Sequence, residues 1–204
     1  AVSTLRRFGD DPDVRSESLD LIERGLSSID RVAGAALATD RPAADGKGFG
    51  PRDLADLEML VAPEARRRRV RLVSDVDLPQ PVAVDCALVR QVVLNLLINA
   101  VKASGDGGET RLSARHVGDE LTIAVTDTGP GLPGEVRRFL ADGRADPFPK
   151  PGALGLWTVM RLLDDIDGRL SIDTHPGRGT TVTIHAPVRP AAEGGAATAE
   201  GARS

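Results

Sequence analysis

Between Leu88 and Ala103 the chain is apolar at almost every position except along one stripe. Gln91, Asn95, Asn99 and Lys102 are spaced four, four and three residues apart. At helical period they fall within roughly 80° of one face. Amides on a helix that is otherwise buried need partners, or they cost on the order of 1–3 kcal/mol each. A metal ion carrying polyphosphate would supply such partners, so this face is where chemistry is expected.

The same patterning divides the rest of the chain. From Val14 to about Thr39, apolar residues recur in steps of three and four through Leu19, Ile22, Leu26, Ile29, Val32, Ala36 and Leu37. This predicts a long amphipathic helix with a seam suited to helix pairing. A Gly/Asp/Pro turn precedes it, and Val2, Leu5 and Phe8 read as the end of an earlier helix, which gives a helical hairpin with a shortened first arm. Residues 42–51 read as a linker. Beyond it a compact α/β unit is expected: a helix over Asp53 to Arg68, strands at Val70–Ser74 and Val82–Val84, and the striped helix over Ala87 to Ser104. A hairpin follows, with strands at Glu109–His116 and Glu120–Asp127 joined through Val117–Asp119. Leu132 to Gly152 reads as a mobile Gly/Pro/Asp loop. A helix over Leu154 to Asp167 and a second hairpin, Leu170–Asp173 with Thr180–Ala186, complete the unit. Residues 189–204 read as a disordered tail.

Composition narrows the function. The 204 residues contain 2% aromatics and no tyrosine, so the core must rest on Leu, Val, Ile and Ala. A formal charge of −4 argues against nucleic acid as a partner. The local basic run Arg66–Arg69 with Arg71 reads as a solvated helix end. The single cysteine, Cys86, excludes an internal disulfide and fits a reducing, cytoplasmic setting. No uninterrupted apolar stretch reaches 18 residues, so no membrane contact is expected from this piece. The chain opens on Ala rather than Met, as an excised part of a longer protein would.

Three short segments carry candidate chemistry. In Leu121–Asp127 the odd positions share a face, so Leu121, Ile123 and Val125 point to the core and Asp127 points inward at the strand's end. A buried carboxylate needs strong hydrogen-bond donors, and the exocyclic amine of adenine is one. Gly129 and Gly131 would let the backbone approach a flat base. Gly152-Ala-Leu-Gly155-Leu156 opens a helix, a place where backbone N–H groups can meet phosphate. Thr180 shares an inward face with Val182 and Ile184, toward the expected place of Asp127. Asn99 is a plausible oxygen ligand for Mg²⁺, and Asn95 could orient a water or a phosphate oxygen. Taken singly, each segment has a bland alternative: an Asp-Gly turn, a buried amide network, a loop-to-helix junction.

Their order and spacing resemble the ATP-binding domain of sensor histidine kinases, in the superfamily shared with DNA gyrase, MutL and the heat-shock chaperone of the Bergerat fold. Arg90–Ser104 looks like the N box, Asp127–Pro133 the G1 box, Gly152–Trp157 the G2 box and Gly177–Pro187 the G3 box. Asp146-Pro-Phe148 and Lys150-Pro-Gly152 resemble the F-box region of the ATP lid. The resemblance covers about Phe49 to Val188. It implies an α+β fold, a two-layer α/β sandwich preceded by a truncated helical hairpin. The domains would be a partial dimerisation and phosphotransfer hairpin (1–41), the linker, and the catalytic domain (52–188). By this resemblance Asn99 would hold Mg²⁺, Asp127 the adenine amine, and Lys102 and Lys150 the phosphates. Gly152 and Gly155 would close on the phosphates, and Leu156 and Thr180 would complete the pocket. Asn95 would stand where the ATPases of the superfamily carry a glutamate base, which suits a kinase that conserves ATP for a histidine.

The resemblance also implies a two-component pathway, in which the phosphate passes to a response regulator receiver domain and the hairpin supports a homodimer. The family's acceptor pattern is His, an acidic residue, then Arg-(Thr/Asn)-Pro. None of His116, His175 and His185 has that context, so the acceptor is expected outside this chain. Ala153 stands where a glycine is usual, and the lid is short. An alternative is therefore a non-enzymatic phosphotransfer or scaffold protein with a decayed ATP site.

Overall fold

The computed structural model describes residues 48–141 and 153–188. The expected helical hairpin, most of the linker, Lys150, Gly152 and the tail lie outside the described residues. Within them run α1 (Pro51–Arg67), β1 (Arg71–Asp77), α2 (Cys86–Ser104), β2 (Glu109–Val117), β3 (Glu120–Asp127), α3 (Gly134–Ala141), α4 (Ala153–Asp164), β4 (Arg169–His175) and β5 (Gly179–Pro187). The strands form one mixed sheet in the order β1-β2-β3-β5-β4, with β1 parallel to β2 and every other pairing antiparallel. This is the expected α+β architecture.

Strand alternation sets the layers. β3 is buried at every second residue, with Leu121, Ile123 and Val125 on the core face and Asp127 as its last member. Leu112 and Ala114 of β2 and Val182, Ile184 and Ala186 of β5 are buried with them. α2 packs against α1, α4, β2, β3 and β5. Eleven of its residues are buried, among them Val89, Val92, Val93 and Leu97, each at or below 1% exposure. Burying each such side chain contributes roughly 1.5–3 kcal/mol, so α2 is the spine of the core. By length and hydropathy alone α2 could cross a membrane, which reading the sequence for uninterrupted apolar runs did not register. Its buried contacts with two helices and three strands identify it as a core helix.

The helix ends are chemically fixed. The Asp85 side chain accepts from Leu88 N at 3.0 Å and caps α2. Asp53 accepts from Gly50 N at 2.9 Å at the start of α1 and pairs with Arg90 of α2 at 2.6 Å, tying the two helices. The Cys86 thiol also faces Asp53, and burial with that carboxylate pushes it up to about 11. The basic run ends α1 as expected: Arg67 and Arg68 both bond Glu64 and hold its carboxyl down at about 2. Arg69 pairs with Asp106, and Arg71 with Glu109.

Four expectations need correction. The segment after Leu132, read as loop throughout, contains α3. Its Glu, Arg, Leu and Ala residues favour helix, and the Pro133 carbonyl accepts the first bond, from Arg137 N at 3.1 Å. The neighbouring glycines and prolines masked that preference. The strand expected at Val82–Val84 is only an isolated bridge, Val82 with Phe49, because Pro81 lacks the donor that a longer ladder needs. Phe49, placed in the linker by its Gly/Pro surroundings, is fully buried in the core. Finally, β1 runs on to Asp77, since an edge strand can carry Ser74, Asp75 and Asp77 toward solvent.

Candidate functional site

A polar row crosses the core face of the sheet at one end. Thr110 of β2 pairs with Asp127 of β3, Asp127 with Thr180 of β5, and Thr180 with Thr174 of β4. Thr110, Asp127 and Thr180 are buried, at 1%, 8% and 5% exposure. Thr110 is satisfied within the protein by Ser104 Oγ at 3.0 Å. Asp127 is held by backbone donors. Its Oδ1 accepts from Gly129 N at 2.8 Å. Burial pushes the carboxyl above the ordinary aspartate range, and the N–H groups of Gly129 and Thr180 only partly offset this. Asp127 also borders open space.

That space is a cavity of about 400 Å³, bounded by α2, β3 and the loop after it, α3, α4 and β5. The size suits a small-molecule ligand. Leu96, Ala100, Val125, Leu132, Val136 and Val182 give it apolar walls, while Asn99, Lys102, Asp127 and Thr180 supply polar groups. Such a pocket accepts a flat ring that is apolar on its faces and carries a hydrogen-bond donor on one edge. Asn99 and Asp127, on different elements, open onto the same cavity.

The sequence-derived candidates divide accordingly. Asn99, Lys102, Asp127, Gly131, Leu156 and Thr180 line the cavity, whereas Asn95, Gly129 and Gly155 do not. Asn95 is buried at 4% exposure, off the cavity wall. Gly129 is glycine because a Cβ there would lie 2.5 Å from Ala103 O, and at Gly131 a Cβ would lie 2.6 Å from His175 O. Gly155 lets α4 descend onto α2, since a Cβ would sit 2.4 Å from Asn99 Nδ2. That same Nδ2 is buried without a hydrogen-bond partner.

Sequence reasoning missed part of the lining. Four of the five α2 residues in it, Leu96, Asn99, Ala100 and Ala103, follow i, i+3, i+4, i+7, and the fifth is Lys102 of the polar stripe. The four-residue stripe is rotated by roughly a quarter turn from the polar one. The periodicity was available, but apolar positions on a buried helix look alike in sequence. Thr110 and Thr174 were also missed. Their place in the row depends on strand register, and Thr174 lay just beyond the expected end of β4.

Residues 84–190, just over half of the chain, match the family of histidine kinase-, DNA gyrase B- and HSP90-like ATPases. The chain belongs to that family. Within it, the matched part is the ATP-binding catalytic core of a sensor histidine kinase. The adaptive-response sensory kinase SasA of Crocosphaera subtropica is 32% identical over 127 residues, which cover 59% of this chain and 33% of that protein. The signal transduction histidine-protein kinase AtoS of Escherichia coli is 27% identical over 193 residues, 93% of this chain and 32% of that protein. The chain therefore spans about a third of the length of these relatives. Among solved structures, a mycobacterial sensor histidine kinase, MprB, matches with a TM-score of 0.54 at 26% identity, covering 67% of this chain and 95% of that one. Histidine kinase ThkA, solved in complex with the response regulator TrrA, shares the fold with a TM-score of 0.63 at 18% identity, covering 92% and 55% respectively.

Proposed function

We propose that this chain binds Mg-ATP in the cavity and donates the γ-phosphoryl group to a histidine on another polypeptide segment of a two-component sensor kinase. The observation that carries this is the opening of Asn99 and Asp127 onto one cavity, with a base-sized apolar slot between them. Asp127 accepts from the 6-amino group of adenine, and Thr180 beside it completes the polar edge. Lys102 at the mouth faces the phosphates, with Lys150 and Gly152 of the lid region assigned the same task from sequence. Gly155 and Leu156 bring the start of α4 to that end of the cavity.

The site's chemistry fits a magnesium ion that arrives with its nucleotide. The orphaned Nδ2 marks the Asn99 amide as a group still short of partners, and its oxygen is a hard donor of the kind Mg²⁺ takes. Among the described residues no cluster of three His, Cys, Asp or Glu could hold a metal, so phosphate and water would complete the shell. When bound, the ion would neutralise charge on the phosphate oxygens. Asn95 is an amide off the cavity wall, so it offers neither the chemistry nor the position of a base for hydrolytic water. This supports transfer to a histidine over ATP hydrolysis.

The receiver domain of a response regulator is the proposed phosphate destination, in line with the ThkA–TrrA complex. The apolar seam in residues 14–39 supports a homodimer through a helical hairpin. The free thiol and the dependence on ATP support a cytoplasmic placement.

Two measurements test the reading. Mg-ATP at 100 times its dissociation constant should add about 2.7 kcal/mol, a rise in melting temperature of roughly 5–10 °C for a domain of this size. A flat response would leave only the non-enzymatic docking role. The chain incubated alone with labelled ATP should acquire no acid-labile phosphate. It should label an added helical-hairpin protein bearing His, an acidic residue and Arg-(Thr/Asn)-Pro. Label on His116, His175 or His185 would overturn the assignment of the acceptor to another segment.

A further inference from the structure

The polar row has a fourth member that does not touch the cavity. Thr174 pairs with Thr180 across β4 and β5 but is absent from the cavity lining. Its Oγ1 accepts from Leu132 N at 2.9 Å, lies 3.0 Å from Thr180 Oγ1 and reaches Gly179 O only at 3.4 Å. A hydroxyl carries one hydrogen, and a lone pair of Thr174 already holds the Leu132 N–H. The nearer acceptor for its hydrogen is therefore Thr180 Oγ1. Donation along this shorter contact, rather than to Gly179 O, would occupy a lone pair of Thr180 and leave the Thr180 hydrogen for the cavity. A second clip, Gly177 N to Pro130 O at 2.9 Å, holds the β4–β5 turn against the same loop, so the arrangement is fixed from both sides.

We propose that Thr174 is a positioning residue that sets the hydrogen-bond polarity of the nucleobase pocket, a role that rests on the ATP reading of the cavity. With Thr174 donating, the pocket presents an acceptor at Asp127 and a donor at Thr180. This pattern complements adenine, which offers a 6-amino donor next to the N1 acceptor. Hypoxanthine offers the inverse, a 6-oxo acceptor beside an N1–H donor. Without the Thr174 hydroxyl, the Thr180 hydroxyl can rotate and present a lone pair, so the pocket loses part of its discrimination while Asp127 retains the rest. Thr174 thus acts on base selection through Thr180, at one remove from the ligand.

The test is calorimetric binding of ATP and of inosine triphosphate to wild type, Thr174→Val and Thr174→Ser. Thr174→Val should weaken ATP by about five- to tenfold and change inosine triphosphate by much less, narrowing the ratio of the two affinities. Thr174→Ser keeps the hydroxyl and should restore the wild-type ratio. In a Thr180→Val background, Thr174→Val should leave the ratio unmoved, because the effect passes through Thr180. Should the valine variant fail to fold, Thr174→Ala removes the same hydroxyl with a smaller side chain and must narrow the ratio too. Equal weakening of both nucleotides, or a ratio that shifts without Thr180, would reduce Thr174 to a packing residue and overturn the proposal. Wild type binding neither nucleotide would instead overturn the ATP reading itself, so the two failures are distinguishable.

Discussion

Asp127→Asn should leave the domain folded and weaken ATP by about thirtyfold to a hundredfold, the loss of a charged hydrogen bond of about 2–3 kcal/mol. The carboxylate has only acceptors, and three donors converge on it: Gly129 N–H, Thr180 N–H and the proposed adenine amine. An asparagine must turn its NH₂ toward one of them. The backbone donors are fixed, so the ligand loses its acceptor. The free protein has the opposite preference. Burial raises the Asp127 pKa, so the native state holds its proton more tightly than the unfolded chain does. Stability therefore falls as pH rises from the ordinary aspartate value of 3.8 through the raised one, and the cost of the buried charge persists at neutral pH. Asp127→Asn removes that cost, so the ligand-free variant should melt no lower than wild type at pH 7. ATP affinity of the wild type should drop as pH falls through the raised pKa, because the protonated carboxyl no longer accepts on both oxygens, and it should drop more than that of the variant, which shares only the protonation of ATP itself. Calorimetry across that range, with melting curves of both proteins, checks each statement. Equal affinities at pH 7 would remove Asp127 from the adenine contact.

The direction of Asp127 was legible in the sequence because β3 alternates without a break, and a period of two leaves no choice of face once Leu121, Ile123 and Val125 are committed to the core. Thr180 could be placed for the same reason, through Val182 and Ile184. On α2 the amides showed a polar stripe, of which only Asn99 and Lys102 reach the cavity, and the rest of the wall is Leu96, Ala100 and Ala103. A helix buried on nearly every side has no preferred face in its own sequence; the sheet and α4 decide which residues meet empty space. The glycines had a similar ambiguity. Sequence marks Gly129 and Gly131 as places where a backbone comes close to something, but the near neighbours are Ala103 O and His175 O. The Thr110–Asp127–Thr180–Thr174 row was not legible, because it exists only in the register of four strands.

That register also identifies the most sensitive backbone position at the site. Gly179 opens β5 at a φ of 92°, and a Cβ there would lie 1.9 Å from Asp127 O and 3.1 Å from Thr128 Cα. Both neighbours are backbone, so no side-chain rotation can make room. Gly179→Ala must therefore separate the start of β5 from the end of β3, which carries Asp127 and Thr180 apart. The expected cost is about 3 kcal/mol or more, at the level where backbone strain and steric overlap add, together with loss of Mg-ATP binding in whatever fraction stays folded. Gly177 is the control. Its φ is 72°, but a Cβ there meets nothing within 4 Å, so Gly177→Ala carries the left-handed penalty alone, about 1–2 kcal/mol. Urea unfolding of the two variants separates the contributions, since both pay for positive φ and only one pays for the close approach. A substantially lower midpoint for Gly179→Ala, with ATP binding retained in Gly177→Ala, is the expected result. Equal midpoints would mean that the contact between the β5 start and Asp127 yields readily, and then the strand pairing could not be what holds the carboxylate and Thr180 on one edge of the cavity.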